Sequence, residues 1–363
     1  MRAAVSREPN QIAIEELDDP SPRSGEVKIK LEVTGICGSD LSLFKGKLKI
    51  PRPVVLGHEG TGTVVETGPD VKNLKVGDRV VCTIIASCGH CFQCKRGELA
   101  LCENAPMFSG GMLDGTTRLT KGEEKIYAIS YQGSFAEYSI VPEICAIKVS
   151  DKTRLGDVVG LACGASTGLG AAMVRTSVEQ GSNVVVYGAG GVGLSVMIGA
   201  KANGAGKIIA VDINPAKLDN ARALGLATHI VLVGTRDTKA FVFAETENRG
   251  ADYAFDAVGL SSTLEEAMTV IRAGGEVIVI GHADGKIEAT IDTVHFLRHK
   301  KLTGTFGGSI DPHIHIPRFI EMHETGKIDL SCLMDRQYAL EDIGQAFADL
   351  AAGRITRGCV VFE

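Results

Sequence analysis

The chain has 363 residues, enough for two domains of ordinary size, with 44% apolar and 23% charged residues. A net charge of -6 and the absence of Trp exclude a basic, aromatic-studded surface of the kind that binds nucleic acid or an anionic membrane. A chain of this length buries a core without crosslinks, so its ten cysteines are available for other work.

The first residues, MRAAVSREPNQIAIEEL, meet an acid early and contain no apolar run, so no signal peptide or membrane anchor is expected. The chain reads as cytoplasmic, where thiols stay reduced and serve as metal ligands or small buried hydrophobes. Short β-rich runs then follow: EVKIKLEV (26–33), TGTVVETG (61–68), DRVVCTII (78–85) and FAEYSIVP (135–142). Val, Ile and Thr alternate there with polar residues, and Gly and Pro punctuate them, which predicts a compact all-β unit.

The rhythm changes after about residue 165. NVVVYG (183–188) predicts a strand, GVGLSVMIGAKANG (191–204) a helix, KIIAVD (207–212) a strand, and PAKLDNARALG (215–225) a helix entered through Pro. ADYAFDAVG (251–259), a helix near 262–272 and GEVIVIG (275–281) continue the alternation. Wholly apolar strands alternating with helices predict a parallel sheet covered on both faces, a doubly wound α/β domain. The last stretch, DIGQAFADLAAGRITRGCVVFE, predicts one amphipathic helix and a closing strand.

Gly188, Gly190 and Gly193 spell G-x-G-x-x-G between the first apolar strand and its helix. In that context Gly188 makes the tight turn, Gly190 lets a pyrophosphate approach, and Gly193 lets helix and sheet pack closely. Gly191 and Val192 open the helix, whose N-terminus faces the phosphates. Asp212 ends the second strand, where a carboxylate accepts from adenine-ribose hydroxyls and repels a 2′-phosphate, which favours NAD over NADP. Lys217 is one turn into the next helix and within reach of the same ribose. The plain alternative is a glycine-rich turn without a ligand.

Cys88, Cys91, Cys94 and Cys102 form C-x2-C-x2-C-x7-C. Four thiolates so spaced close a tetrahedral shell on one zinc and leave no open position, so the site is structural. The bacterial iron–sulfur run has three residues before its last Cys and a Pro after it, and this chain has seven and Glu103. Cys37, His58, Glu59 and Cys163 are dispersed, and spacing alone does not assemble them. A Cys2His set would leave zinc a vacant position for substrate. Cys82, Cys145, Cys332 and Cys359 read as core cysteines. His295, His299, His313, His315 and His323 form a histidine-rich tract without the Glu of a metalloprotease, and read as solvated or coenzyme-lining.

The order GICGSD, GHEG, the four-cysteine run, CGAST, GAGGVG and VDINPAK resembles the zinc-dependent medium-chain alcohol dehydrogenases over essentially the whole chain. DGTTRL followed by FAEYSIV is most similar to the branch holding the liver-type enzymes and the glutathione-dependent formaldehyde dehydrogenases. The resemblance implies a GroES-like, mostly β catalytic domain over 1–164 and 306–363 and a Rossmann NAD-binding domain over 165–305. It implies two zinc ions per chain, the catalytic one on Cys37, His58 and Cys163. Glu59 lies behind as a transient ligand, and Asp40 orients His58. Ser39 takes the alcohol proton, Thr167 and Val192 back the nicotinamide, and Arg357 faces the pyrophosphate. The implied activity is hydride transfer from a primary or secondary alcohol to NAD, in a homo-oligomer with a dimer favoured over a tetramer.

Several positions depart from the family. Ser42 stands where liver-type enzymes end a proton relay in His, and Gly38 where some relatives place a cation on the pyrophosphate. Pro106 stands near the place of the glutathione-anchoring Arg, and Ile84 where Phe is frequent, which suggests a roomier alcohol pocket. Two alternatives follow: a formaldehyde dehydrogenase acting on a thiol adduct, and an inactive, zinc-stabilised nucleotide-binding protein.

Overall fold

The computed structural model describes residues 1–105, 107–282 and 286–362. They form two compact units, Met1–Cys163 with Asp311–Glu324 and Leu330–Glu363, and Gly164–Ile310 with Thr325–Asp329. The second crossing therefore falls at 311, not at the expected 306. The reason is local packing: a Cβ added to Gly308 would lie 2.7 Å from the Ser166 carbonyl oxygen and 2.8 Å from that of Thr167, so this turn is pressed against the helix Gly164–Gly170. No pattern in the sequence marks the brief return of 325–329.

In the first unit the long strand Glu26–Ile36 is the hub. It pairs antiparallel with Gly60–Thr67, with Tyr138–Pro142 and, near its end, with the closing strand Gly358–Val361. Arg79–Cys82 and Ala146–Lys148 extend the sheet beyond Gly60–Thr67. Val27, Ile29 and Leu31 alternate into a core with Val64, Val80 and Val141, the burial that the period-two pattern demands. The register sets Thr34 opposite Gly60 and Ile36 opposite Gly358. Cys37, the His58–Glu59 pair and Arg357 thus leave the sheet at one end. A second sheet runs in the order Ala13–Glu16, Arg2–Ser6, Val54–Val55, Glu124–Ala128, Leu119–Lys121.

Two short helices, Phe92–Lys95 and the one after the hub strand, correct the all-β expectation. Gly38–Phe44 is a helix, seated directly after the hub strand. Asp40, at its third position, accepts the Cys37 backbone N–H at 3.2 Å, the reciprocal half of a capping box. A seven-residue helix with Gly and two Ser has little intrinsic propensity, so tertiary burial of Asp40 and Leu43 holds it.

The second unit is a six-stranded, wholly parallel sheet in the order His229–Leu232, Lys207–Asp212, Asn183–Tyr187, Ala251–Asp256, Ile271–Val279, Lys301–Gly304. Burial is complete over the apolar runs of the two strands at the switch point, Val184–Tyr187 and Ile208–Val211, as strands covered on both faces require, and falls off at the sheet edges, His229–Leu232 and Lys301–Gly304. Strand order reverses at Asn183–Tyr187, and the carboxyl ends of this strand and its neighbours carry Gly188, Asp212 and Asp256. The fifth strand begins at Ile271 rather than 275, because Ile271 already pairs with Ala251 before the register slips. The amphipathic C-terminal helix is Ile343–Ala351. Among the described residues no single helix is long and apolar enough to cross a membrane.

Candidate active site

Cys37, His58, Glu59 and Cys163 each turn a ligand atom to one point, all within 4.8 Å of one another. Cys37 ends the hub strand, His58 and Glu59 precede its neighbour, and Cys163 closes the 3-10 turn Val159–Ala162. His58 is buried, and its Nδ1 lies 2.9 Å from the Asp40 carboxylate. A carboxylate there favours a proton on Nδ1, which suits Nε2 to the part of a ligand nitrogen. The same Asp40 oxygen accepts the Gly57 backbone N–H at 2.9 Å, so one fully buried carboxylate orders the whole turn. The Ser39 hydroxyl is 3.3 Å from His58 Nε2 and 3.4 Å from Cys37 Sγ, at the edge of the cluster.

Electrostatics bind the set together. A hydrogen bond with Cys163, aided by His58 and opposed by burial, holds the Cys37 thiol well below its ordinary range, while the same bond and burial push Cys163 up. Burial disfavours a charged His58, but Asp40 outweighs it and His58 is raised. Glu59, fully buried, is raised by burial against the opposing pull of Arg357. Arg357 is itself buried, and its guanidinium contacts Glu59 directly. Sequence reasoning missed this pair. The resemblance had placed Arg357 only toward a pyrophosphate, and two residues so far apart in the chain leave no local signal. Two thiols and an imidazole, with the imidazole oriented from behind, are a donor set that zinc takes while keeping a position open.

The other four cysteines also converge, their sulfurs within 4.8 Å of one another. Cys91 caps the short helix Phe92–Lys95, accepting from the Cys94 N–H at 3.4 Å, and the Cys88 N–H points at Cys102 Sγ at 3.3 Å. An all-thiol set has the composition of a closed zinc shell.

In the second unit Gly188 takes φ of +90° where the strand turns into the helix Gly191–Ala202. A Cβ on Gly193 would collide with the Gly188 carbonyl oxygen, whereas a Cβ on Gly190 would meet no protein atom. The turn is thus tight inside and open outside. Gly190 is the N-cap and offers no side-chain acceptor, an arrangement in which the first backbone N–H groups suit an anion. Asp212 accepts from Ala189 N at 2.7 Å and Asn214 N at 2.8 Å, which fixes its carboxylate at the strand end. Lys217 lies in the helix Pro215–Ala223, capped by Asn214, and Val192 and Thr167 are half-buried in their helices. These groups suit a dinucleotide phosphate and ribose.

The remaining candidates disperse. His295 lies on the short helix Val294–Leu297, but His299 falls beyond it at φ of +56°, so the two do not share a helical face. His313 hydrogen-bonds the Ile144 carbonyl, and His315 contacts Asp311. None of the five histidines joins a metal-type cluster among the described residues. Ser42 sits on the Ser39 helix three residues on, and Ile84 is buried with its N–H on Ala162 O at 3.3 Å, beside Cys163. Pro106 lies outside the described residues.

A Rossmann-type unit with an open glycine turn, joined to a β-rich unit that gathers thiols and an imidazole, defines a zinc-binding oxidoreductase with a nucleotide cofactor. Residues 23–151 match the alcohol dehydrogenase GroES-like domain and residues 191–324 the zinc-binding dehydrogenase domain. The chain is 36% identical over 355 residues to the NDMA-dependent alcohol dehydrogenase of Amycolatopsis methanolica, covering 96% of this chain and 95% of that one. It is 34% identical to the S-(hydroxymethyl)glutathione dehydrogenase of Synechocystis sp., covering 99% of each. The crystal structure of benzyl alcohol dehydrogenase from Acinetobacter calcoaceticus is similar with a TM-score of 0.94 at 32% identity, covering 100% of this chain and 99% of that one. The chain belongs to the zinc-dependent medium-chain alcohol dehydrogenase family.

Proposed function

We propose that the protein oxidises a primary or secondary alcohol to its aldehyde or ketone with NAD as hydride acceptor, reversibly. The observation that carries this reading is the convergence of Cys37, His58 and Cys163 with the Ser39 hydroxyl at their rim. Zinc on those three residues would supply Lewis acidity toward an alcohol oxygen, and NAD at the glycine turn a hydride acceptor. Asp40 fixes the tautomer of His58, so Nε2 is always presented to the cluster. Ser39 is the hydroxyl placed to take the alcohol proton. Arg357 balances the buried charge of Glu59, which stands ready as a further oxygen donor behind the thiols. Gly190, Gly191, Val192 and Gly193 hold the pyrophosphate on backbone N–H groups, and Asp212 with Lys217 holds the ribose and disfavours a 2′-phosphate. Thr167 and Val192 back the nicotinamide. Cys88, Cys91, Cys94 and Cys102 hold a second zinc with no catalytic part. We further propose a cytoplasmic homo-oligomer, a dimer before a tetramer.

A second reading, oxidation of a formaldehyde–thiol adduct, draws support from the Synechocystis relative. One experiment separates them. Zinc-loaded protein is given a panel of aliphatic and aromatic alcohols with NAD or NADP, formaldehyde with and without glutathione, and NDMA in place of added nucleotide. The proposal expects alcohol-dependent NADH absorbance with NAD favoured. Activity only with formaldehyde and glutathione would select the second reading. Turnover only with NDMA would overturn free NAD as the acceptor.

A further inference from the structure

Four thiolates around a dication leave a centre with surplus negative charge, and hydrogen bonds to sulfur are the means of spreading it. The donors around Cys88, Cys91, Cys94 and Cys102 are unequally shared. Cys102 accepts from the Cys88 N–H at 3.3 Å and Cys91 from the Cys94 N–H at 3.4 Å. Cys88 faces the most donors, the His90 N–H, the Cys91 N–H at 3.3 Å and the side-chain amide of Asn104, also at 3.3 Å, whereas Cys91 has the further N–H of Glu103 and Cys94 that of Gly89; Asn104 is the side-chain amide among these backbone donors. Asn104 is exposed and Cys88 only half-buried, so this amide lies on the solvent side of the sulfur. Its neighbour Glu103 is an acid whose carboxylate accepts the Phe92 N–H at 3.3 Å. In the order Cys102-Glu103-Asn104, the segment that carries the last cysteine therefore delivers a donor to the first.

We propose that Asn104 is a positioning residue of the four-cysteine centre, whose amide shields the Cys88 sulfur and retains the metal there. The inference rests on that centre holding zinc. Asn104→Asp preserves shape and replaces the donor by a carboxylate; Asn104→Gln keeps the amide on a longer arm and Asn104→Ala removes it.

The test uses the whole protein in two measurements. Zinc release to a chromogenic chelator should quicken about tenfold or more in N104D, the size expected for loss of an outer partner of a ligand, with N104A between N104D and wild type. In cobalt-substituted protein the thiolate-to-metal charge-transfer absorption should move to longer wavelength in N104D, because a sulfur without its donor holds its electrons less tightly. The difference spectrum between N104D and wild type isolates the Cys88 contribution from that of Cys37 and Cys163. A merely structural role would leave that absorption in place. Wild-type release and an unmoved absorption in N104D would overturn the inference while leaving the zinc assignment standing. A wild-type protein that takes only one metal ion per chain, on Cys37, His58 and Cys163, would overturn both.

Discussion

Asp40→Asn is the sharpest perturbation of the catalytic centre, because it keeps the side chain's shape and exchanges one acceptor for a donor. One Asp40 oxygen accepts from His58 Nδ1 and Gly57 N, both at 2.9 Å, and the other accepts from Cys37 N at 3.2 Å. An Asn that leaves its carbonyl toward His58 must turn its NH2 against the Cys37 N–H. The flipped Asn drives the His58 proton to Nε2, where it blocks the ligand nitrogen. Both arrangements leave a buried donor facing a donor, at a cost of about 1–3 kcal/mol. Loss of such a partner behind a ligand His lowers metal affinity about 10–100-fold, or about 1.4–2.7 kcal/mol. Competition with a chelator of known zinc affinity measures the loss of affinity, and turnover against added zinc shows its effect on catalysis. Activity should fall and recover in part with excess zinc. A D40N protein with wild-type zinc affinity and wild-type turnover would refute the orienting role.

On the proposed NAD reading, which sets the Asp212 carboxylate on the ribose and against a 2′-phosphate, Asp212→Ala should raise the KM for NAD about tenfold and narrow the preference over NADP; steady-state kinetics with both nucleotides decide. On the proposed two-zinc reading, Cys94→Ser should lower the melting temperature and take the zinc content from two to one per chain while the remaining zinc keeps its site, because Cys94 is buried within an all-thiol set. Lys300 is buried, its ammonium donates to the Met268 carbonyl at 2.7 Å, and burial, with Lys239 and Arg298 adding, pushes its pKa down from 10.5 to about 8. The folded state thus carries the full penalty below pH 8 and sheds it as pH rises toward 10.5, where the unfolded chain still holds the proton. Relative to Lys300→Met, wild-type stability should climb across that window; denaturant melts of both proteins at pH 7, 9 and 10 would show a flat difference if the reasoning fails.

Neighbours in sequence made much of this protein legible. The four cysteines within one loop, the glycine turn between an apolar strand and a helix, and Asp212 at the next strand end each carry their chemistry in local spacing. The parallel sheet was equally visible, because strands buried on both faces must be apolar throughout. The helix Gly38–Phe44 was not, since its residues are poor helix formers and it stands on the burial of Asp40 and Leu43.

What the amino-acid order determined alone was thus the inventory of donors, the nucleotide turn and the two rhythms of the chain. Only the tertiary structure decided which remote groups meet: the register that sets Thr34 against Gly60 and Ile36 against Gly358 brings Cys37, His58, Glu59 and Arg357 to one sheet end. Strand pairing is chosen by long-range burial, whereas a side chain's chemistry is written in its own position. A one-residue slip in that pairing would turn these side chains to the opposite face without altering any local pattern.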